Sequence, residues 1–120
     1  MPLRALRGAI TVERNDAESI VEATEELVRE LLSRNDLDAN DLVSCIFTCT
    51  PDLNAAFPAA AARDIGLSAV PMLCAQEIDV PDALPRVIRL MAHCELADRP
   101  ANHVYLRDAR TLRADLEGAQ

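Results

Sequence analysis

The sequence predicts a mixed α/β or α+β layer fold, and three features predict it. Apolar residues recur at helical spacing from residue 16 to about 34. Residues 42–50 and 87–92 are short apolar runs rich in β-branched side chains. Residues 103–107 alternate with a period of two. Helical and strand patterns interspersed in a chain of 120 residues give helices layered on a sheet.

Taken in order, residues 3–12 read as a first strand, apolar except for Arg4 and Arg7. Arg7 shares a face with Leu3, Ala5 and Ala9. Asn15 is placed to cap the following helix, with Glu18 at the third helical position. Along that helix Ile20, Ala23, Leu27 and Leu31 form one stripe, and Glu18, Glu22, Glu25, Glu26, Arg29 and Glu30 form a solvated face. Residues 35–41 are a polar loop. The run 42–50 is a buried strand that ends at Thr50-Pro51-Asp52. Residues 57–66 form a short helix with Pro58 in its first turn and Gly66 as its stop. Residues 70–75 are a short strand whose Pro71 points to an edge or a strand start. Residues 76–81 connect, and 82–84 form one turn before Pro85. Pro85 and the pair Val87-Ile88 favour a strand at 87–92, with Val87, Arg89 and Met91 on one face. Residues 94–102 are a loop. In the strand 103–107, His103, Tyr105 and Arg107 lie on one side. Residues 114–120 read as a loose tail. The whole, 1–120, is one domain.

Composition narrows the function. The net charge is −8 and the isoelectric point about 4.6, which argues against a nucleic-acid partner. With no Trp, one Tyr and two Phe there is no base-stacking platform. All twelve basic residues are Arg, so lysine Schiff-base chemistry is excluded, and forked binding of carboxylate or phosphate is favoured. No signal peptide and no membrane span is legible, so a cytoplasmic location with free thiols at Cys45, Cys49, Cys74 and Cys94 is expected.

Metal and nucleophile chemistry are weakly signalled. Cys45 and Cys49 have a zinc-ligand spacing, but on a strand they stand about 13 Å apart and cannot share an ion. Cys74, Glu77, His93 and His103 have no local signature joining them, and there is no glycine-rich phosphate loop. What remains is a set of arginines in apolar segments: Arg7, Arg63, Arg89 and Arg113, with Glu77 at a strand end and Tyr105 on a strand. An unpaired guanidinium is too costly to bury. Arg89 therefore reaches water, meets a carboxylate, or waits for an anionic ligand. Together these side chains suggest a pocket for a small polyanion.

The blocks Arg4-Ala5-Leu6-Arg7-Gly8-Ala9-Ile10-Thr11-Val12-Glu13, Thr50-Pro51-Asp52-Leu53, Phe57-Pro58-Ala59 with Arg63, Cys74-Ala75-Gln76-Glu77, Arg86-Val87-Ile88-Arg89, His103-Val104-Tyr105-Leu106 and Leu112-Arg113-Ala114-Asp115-Leu116 resemble the monofunctional AroH-class chorismate mutases. The resemblance runs along essentially the whole chain, in order. It implies a homotrimeric pseudo-α/β-barrel with active sites between subunits, acting on chorismate without cofactor or metal.

It also implies roles. Arg89 donates to the breaking ether oxygen, Arg7 and Tyr105 hold the side-chain carboxylate, and Glu77 accepts from the ring hydroxyl with Cys74 beside it. Phe57 and Ala59 wall the pocket. Leu73, Leu112, Arg63 and Arg113 complete the substrate-binding set, with the tail ordering over the ligand. Two positions depart from the family pattern: Ala60 stands where a lysine is found, and Leu73 where a threonine is found. The alternatives are a trimeric enamine or imine deaminase, which needs a positioned water, and a non-catalytic binder of a carboxylated metabolite.

Overall fold

The computed structural model describes residues 2–98 and 100–112. Arg113 and the expected tail at 114–120 lie outside them. Five strands form one mixed sheet: β1 (Leu3–Thr11), β2 (Leu42–Cys49), β3 (Met72–Gln76), β4 (Val87–Glu95) and β5 (Val104–Leu106). Their spatial order is β3-β2-β4-β1-β5. β4 runs antiparallel to both β1 and β2, and the two edge strands pair parallel, β5 on β1 and β3 on β2. The edge position of β3 agrees with Pro71 at its start. β4 runs to Glu95, past the expected loop start at 94, because Leu3 and Arg4 continue to pair with Glu95 and Cys94.

Helix α1 (Ala17–Arg34) and the short α2 (Pro58–Ala62) cover one face of the sheet. The stripe Ile20, Ala23, Leu27, Val28 and Leu31 is buried against Leu6 and Ile10 of β1, Phe47 of β2, and Ile88 and Leu90 of β4. Gly8 permits the close approach: a Cβ there would stand 3.0 Å from Leu27 Cδ1. Past α2 the chain keeps turning through Arg63–Leu67, then breaks at Gly66, whose φ of 119° is the left-handed stop that the sequence suggested.

Two local expectations are corrected. Asp16, not Asn15, caps α1, its Oδ1 accepting from Ser19 N at 2.7 Å. Asn15 is occupied elsewhere: its Oδ1 accepts from Asn54 N and Ala55 N, and its Nδ2 donates to Asn54 Oδ1. It thereby ties the loop ahead of α2 to the start of α1. Arg107 does not share the side of Tyr105. It has a φ of 56°, opens a 3₁₀ turn at Arg107–Ala109, and swings to Glu26 of α1 and the Thr11 carbonyl.

The other face of the sheet is left largely open: among the described residues it is met by Leu84 and by the helical turn at 107–112, whose Ala109 and Leu112 pack with Ala9, Val87 and Tyr105. It carries Leu3, Ala5, Arg7 and Ala9 of β1, Ile46 and Thr48 of β2, Leu73 and Ala75 of β3, Arg89, Met91 and His93 of β4, and Tyr105 of β5. Leu3 is 63% exposed and Leu73 68%, high values for leucines on a sheet face.

Candidate active site

Strand register builds the site. Partners across the sheet place Ala75, Thr48, Arg89, Ala9 and Tyr105 in one row running from edge to edge. At the usual interstrand spacing the backbones of Arg89 and Tyr105 stand about 10 Å apart. Ala9 lies between them, buried in a small cluster with Val87, Ala109, Tyr105 and Leu112. Arg7 is two residues from Ala9 and points to the same face. Arg7, Arg89 and Tyr105 line one open concavity of ≈ 290 Å³ with Ala9, Ile46, Thr48 and Met91. That is near the lower limit of small-molecule sites.

Glu77 completes the cluster. It follows β3 in the same alternation as Leu73 and Ala75, and its N–H donates to the Cys49 carbonyl. Arg89 Nε donates to both Glu77 oxygens, at 3.1 Å (Oε1) and 3.0 Å (Oε2). Thr48 Oγ1 donates to Oε2 at 2.6 Å. The sequence left Arg89 a choice of water, carboxylate or ligand, and it meets a carboxylate through Nε alone. Its terminal nitrogens have no hydrogen-bond partner among the described residues and remain available to a ligand. Glu77 is the more enclosed partner, its side chain 17% exposed against 42% for Arg89. A carboxylate has about four lone-pair sites. Oε1 therefore retains acceptor capacity.

The Arg7 N–H donates to His103 Nδ1 at 3.0 Å, which requires that nitrogen to be unprotonated. Burial, helped by the nearby Arg7 guanidinium, lowers the His103 pKa from the ordinary 6.5. A depressed folded-state pKa means the unfolded chain binds the extra proton first. The contact thus contributes stability above the ordinary histidine pKa, and this is lost as pH falls through the folded value. An NMR titration of the imidazole is expected to give a midpoint below 6.5. A midpoint at or above that value would contradict the assigned acceptor.

The remaining candidate residues lie elsewhere. Leu112 packs with Tyr105, Leu84, Ala9, Val87 and Ala109 at the rim of the same face. Leu73 shares the face but sits on the edge strand. Cys74 has the opposite alternation and turns to the helix side, where it lines a second concavity with Phe57, Pro58, Cys49 and Leu53. Phe57 is 71% exposed. Ala59 faces inward and belongs to the main core, and Arg63 is exposed past the end of α2. One chain thus brings Arg7, Glu77, Arg89 and Tyr105 together, and it does not bring Phe57, Arg63 or Cys74 to them. Burial pushes the thiols of Cys45 and Cys49 up to about 11, so neither supplies a thiolate near neutrality. Among the described residues no group of three or more His, Cys, Asp or Glu is arranged to hold a metal.

Thr48 was not singled out from sequence. Its signal was a hydroxyl inside an apolar run, on the same alternation as Ile46.

The profile of the family described as chorismate mutase type I matches residues 3–116. The chain belongs to this family. Within it, chorismate mutase AroH of Thermus thermophilus is 49% identical over 121 residues, covering 98% of this chain and 99% of that protein. Chorismate mutase AroH of Bacillus subtilis (strain 168) is 39% identical over 119 residues, covering 97% and 94%. The solved structure of a chorismate mutase from Clostridium thermocellum superposes with a TM-score of 0.88 at 44% identity, over 90% of this chain and 98% of that one. The sheet-and-helix layer of the type I chorismate mutases is therefore the fold of this chain.

Proposed function

We propose that the open-face cluster performs the family's reaction, the isomerisation of chorismate to prephenate on the route to phenylalanine and tyrosine. The reaction is a pericyclic [3,3] rearrangement: one C–O bond breaks as one C–C bond forms inside the same molecule. It needs no proton transfer and no covalent intermediate. The protein must fold a dianion into a compact reactive shape and set positive charge where the ether oxygen gains electron density.

The observation that carries this reading is the state of Arg89. Its Nε is held by Glu77, and its terminal nitrogens stay open toward a concavity that Arg7 and Tyr105 also line. In the proposed complex Arg89 donates to the ether oxygen. Arg7 and Tyr105 take the side-chain carboxylate, and Glu77 Oε1 accepts from the ring hydroxyl. Two guanidinium groups against one carboxylate give the site positive charge on a chain of net −8.

The homotrimer belongs to the same proposal. Phe57, Arg63 and Cys74 stand on the α2–β3 side of each chain, away from Arg89. A neighbouring subunit presenting that edge to the bare apolar face would close the pocket and cover Leu3, Ile46, Leu73 and Met91. No described helix is long and apolar enough to cross a membrane. A cytoplasmic location fits the free cysteines.

The deaminase and binder readings find no support in the family match. The deciding experiment follows the loss of chorismate ultraviolet absorbance as prephenate appears. Turnover is expected, with a rate that is nearly flat from neutral to mildly alkaline pH, because no base titrates in the mechanism. Ammonia release from an imine, or binding of chorismate without turnover, would overturn the assignment.

A further inference from the structure

We propose that Thr48 is a positioning residue that fixes Glu77, and through it the fork of Arg89. This rests on the roles of Glu77 and Arg89 given above. Glu77 stands just beyond the end of β3, on a side chain with free rotation about several bonds. Nothing in its own strand determines where the carboxylate points. Thr48 is its opposite in this respect. It lies in β2, which is paired on both sides, by β3 at Ala75 and by β4 at Arg89. Its branched Cβ leaves few rotamers. Its hydroxyl therefore has a fixed direction, and it meets Glu77 Oε2 at 2.6 Å.

Two consequences follow from that bond. With Oε2 engaged by Thr48, and both oxygens by Arg89 Nε, the carboxylate plane is set, and the open acceptor site is on Oε1. Arg89 then has its Nε edge anchored, so its terminal nitrogens project in one direction. A preorganised donor is effective because it need not reorient during the reaction. Thr48 supplies that preorganisation through Glu77.

The test compares T48V, T48S, E77Q and the double variant T48V/E77Q in the full chain, using chorismate turnover. T48V keeps the side-chain shape and removes the donor. It is expected to lower kcat/KM about ten- to a hundredfold, the scale of one hydrogen bond to a charged group. T48S should restore most of the activity. In the E77Q background T48V should add little further loss. If T48V unfolds, T48A and T48S give the same comparison.

A T48V variant with wild-type turnover, beside a damaged E77Q, would overturn the role of Thr48 alone. Losses in the double variant that multiply would do the same. A fully active E77Q would instead overturn the assignment of Glu77 on which the proposal stands.

Discussion

Arg89→Ala is expected to lower kcat/KM for chorismate by at least about 10²–10³, the loss seen when one preorganised transition-state donor is removed. The loss should fall mainly on kcat, since the charge it stabilises develops only as the ether bond breaks. Arg89→Lys should fail nearly as badly. Arginine here does two things with two parts of one planar group: Nε engages Glu77, and the terminal nitrogens remain for the ligand. A lysine has a single ammonium on a flexible stem and cannot do both. Near-normal turnover of either variant, measured by steady-state kinetics, would remove Arg89 from its role.

The second large effect concerns assembly. Arg89 and Cys74 lie on opposite faces of the sheet in one chain, so a site that uses both is built from two chains. Arg89→Ala damages one half-site. Cys74→Asp sets a carboxylate in the other half-site, against a dianionic substrate. Each variant alone is expected to be nearly inactive. Co-assembled one to one, they should recover about a quarter of wild-type activity: in a random cyclic trimer about three-quarters of the assemblies are mixed, and each mixed one holds one intact site of three. A mixture no more active than its parents, from subunits that do exchange, would place the whole site within one chain.

Much of this architecture was legible because it is written in periodicity. The stripe from Ile20 to Leu31 lies on a helix and the β-branched runs lie on strands, as their patterns suggest, while the helix that starts at Pro58 is regular only to Ala62. The misplaced details have a common cause. Asn15 and Asp16 are equally good caps by type, and only the distant Asn54 decides between them. Arg107 follows strand alternation until Glu26 and the Thr11 carbonyl draw it away through a left-handed backbone. Both outcomes depend on partners far along the chain.

The site divides in the same way. Arg7, Arg89 and Tyr105 were visible as polar groups at inward phases of apolar strands. Thr48 was not, because threonine is an ordinary strand residue until Glu77 comes within reach. That Cys74 faces away from Glu77, three residues on, follows from strand alternation. The proposed meeting of the two on one ligand would need a second subunit, which no single-chain pattern encodes.

The most direct test is a crystal structure of the protein with a rigid bicyclic dicarboxylate that mimics the folded transition state and keeps the bridging ether. The account predicts a terminal nitrogen of Arg89 about 2.7–3.1 Å from the ether oxygen, with Nε still on Glu77 and Oε1 accepting from the ring hydroxyl. An Arg89 whose terminal nitrogens fold back onto Glu77, leaving the ether oxygen to solvent, would contradict it.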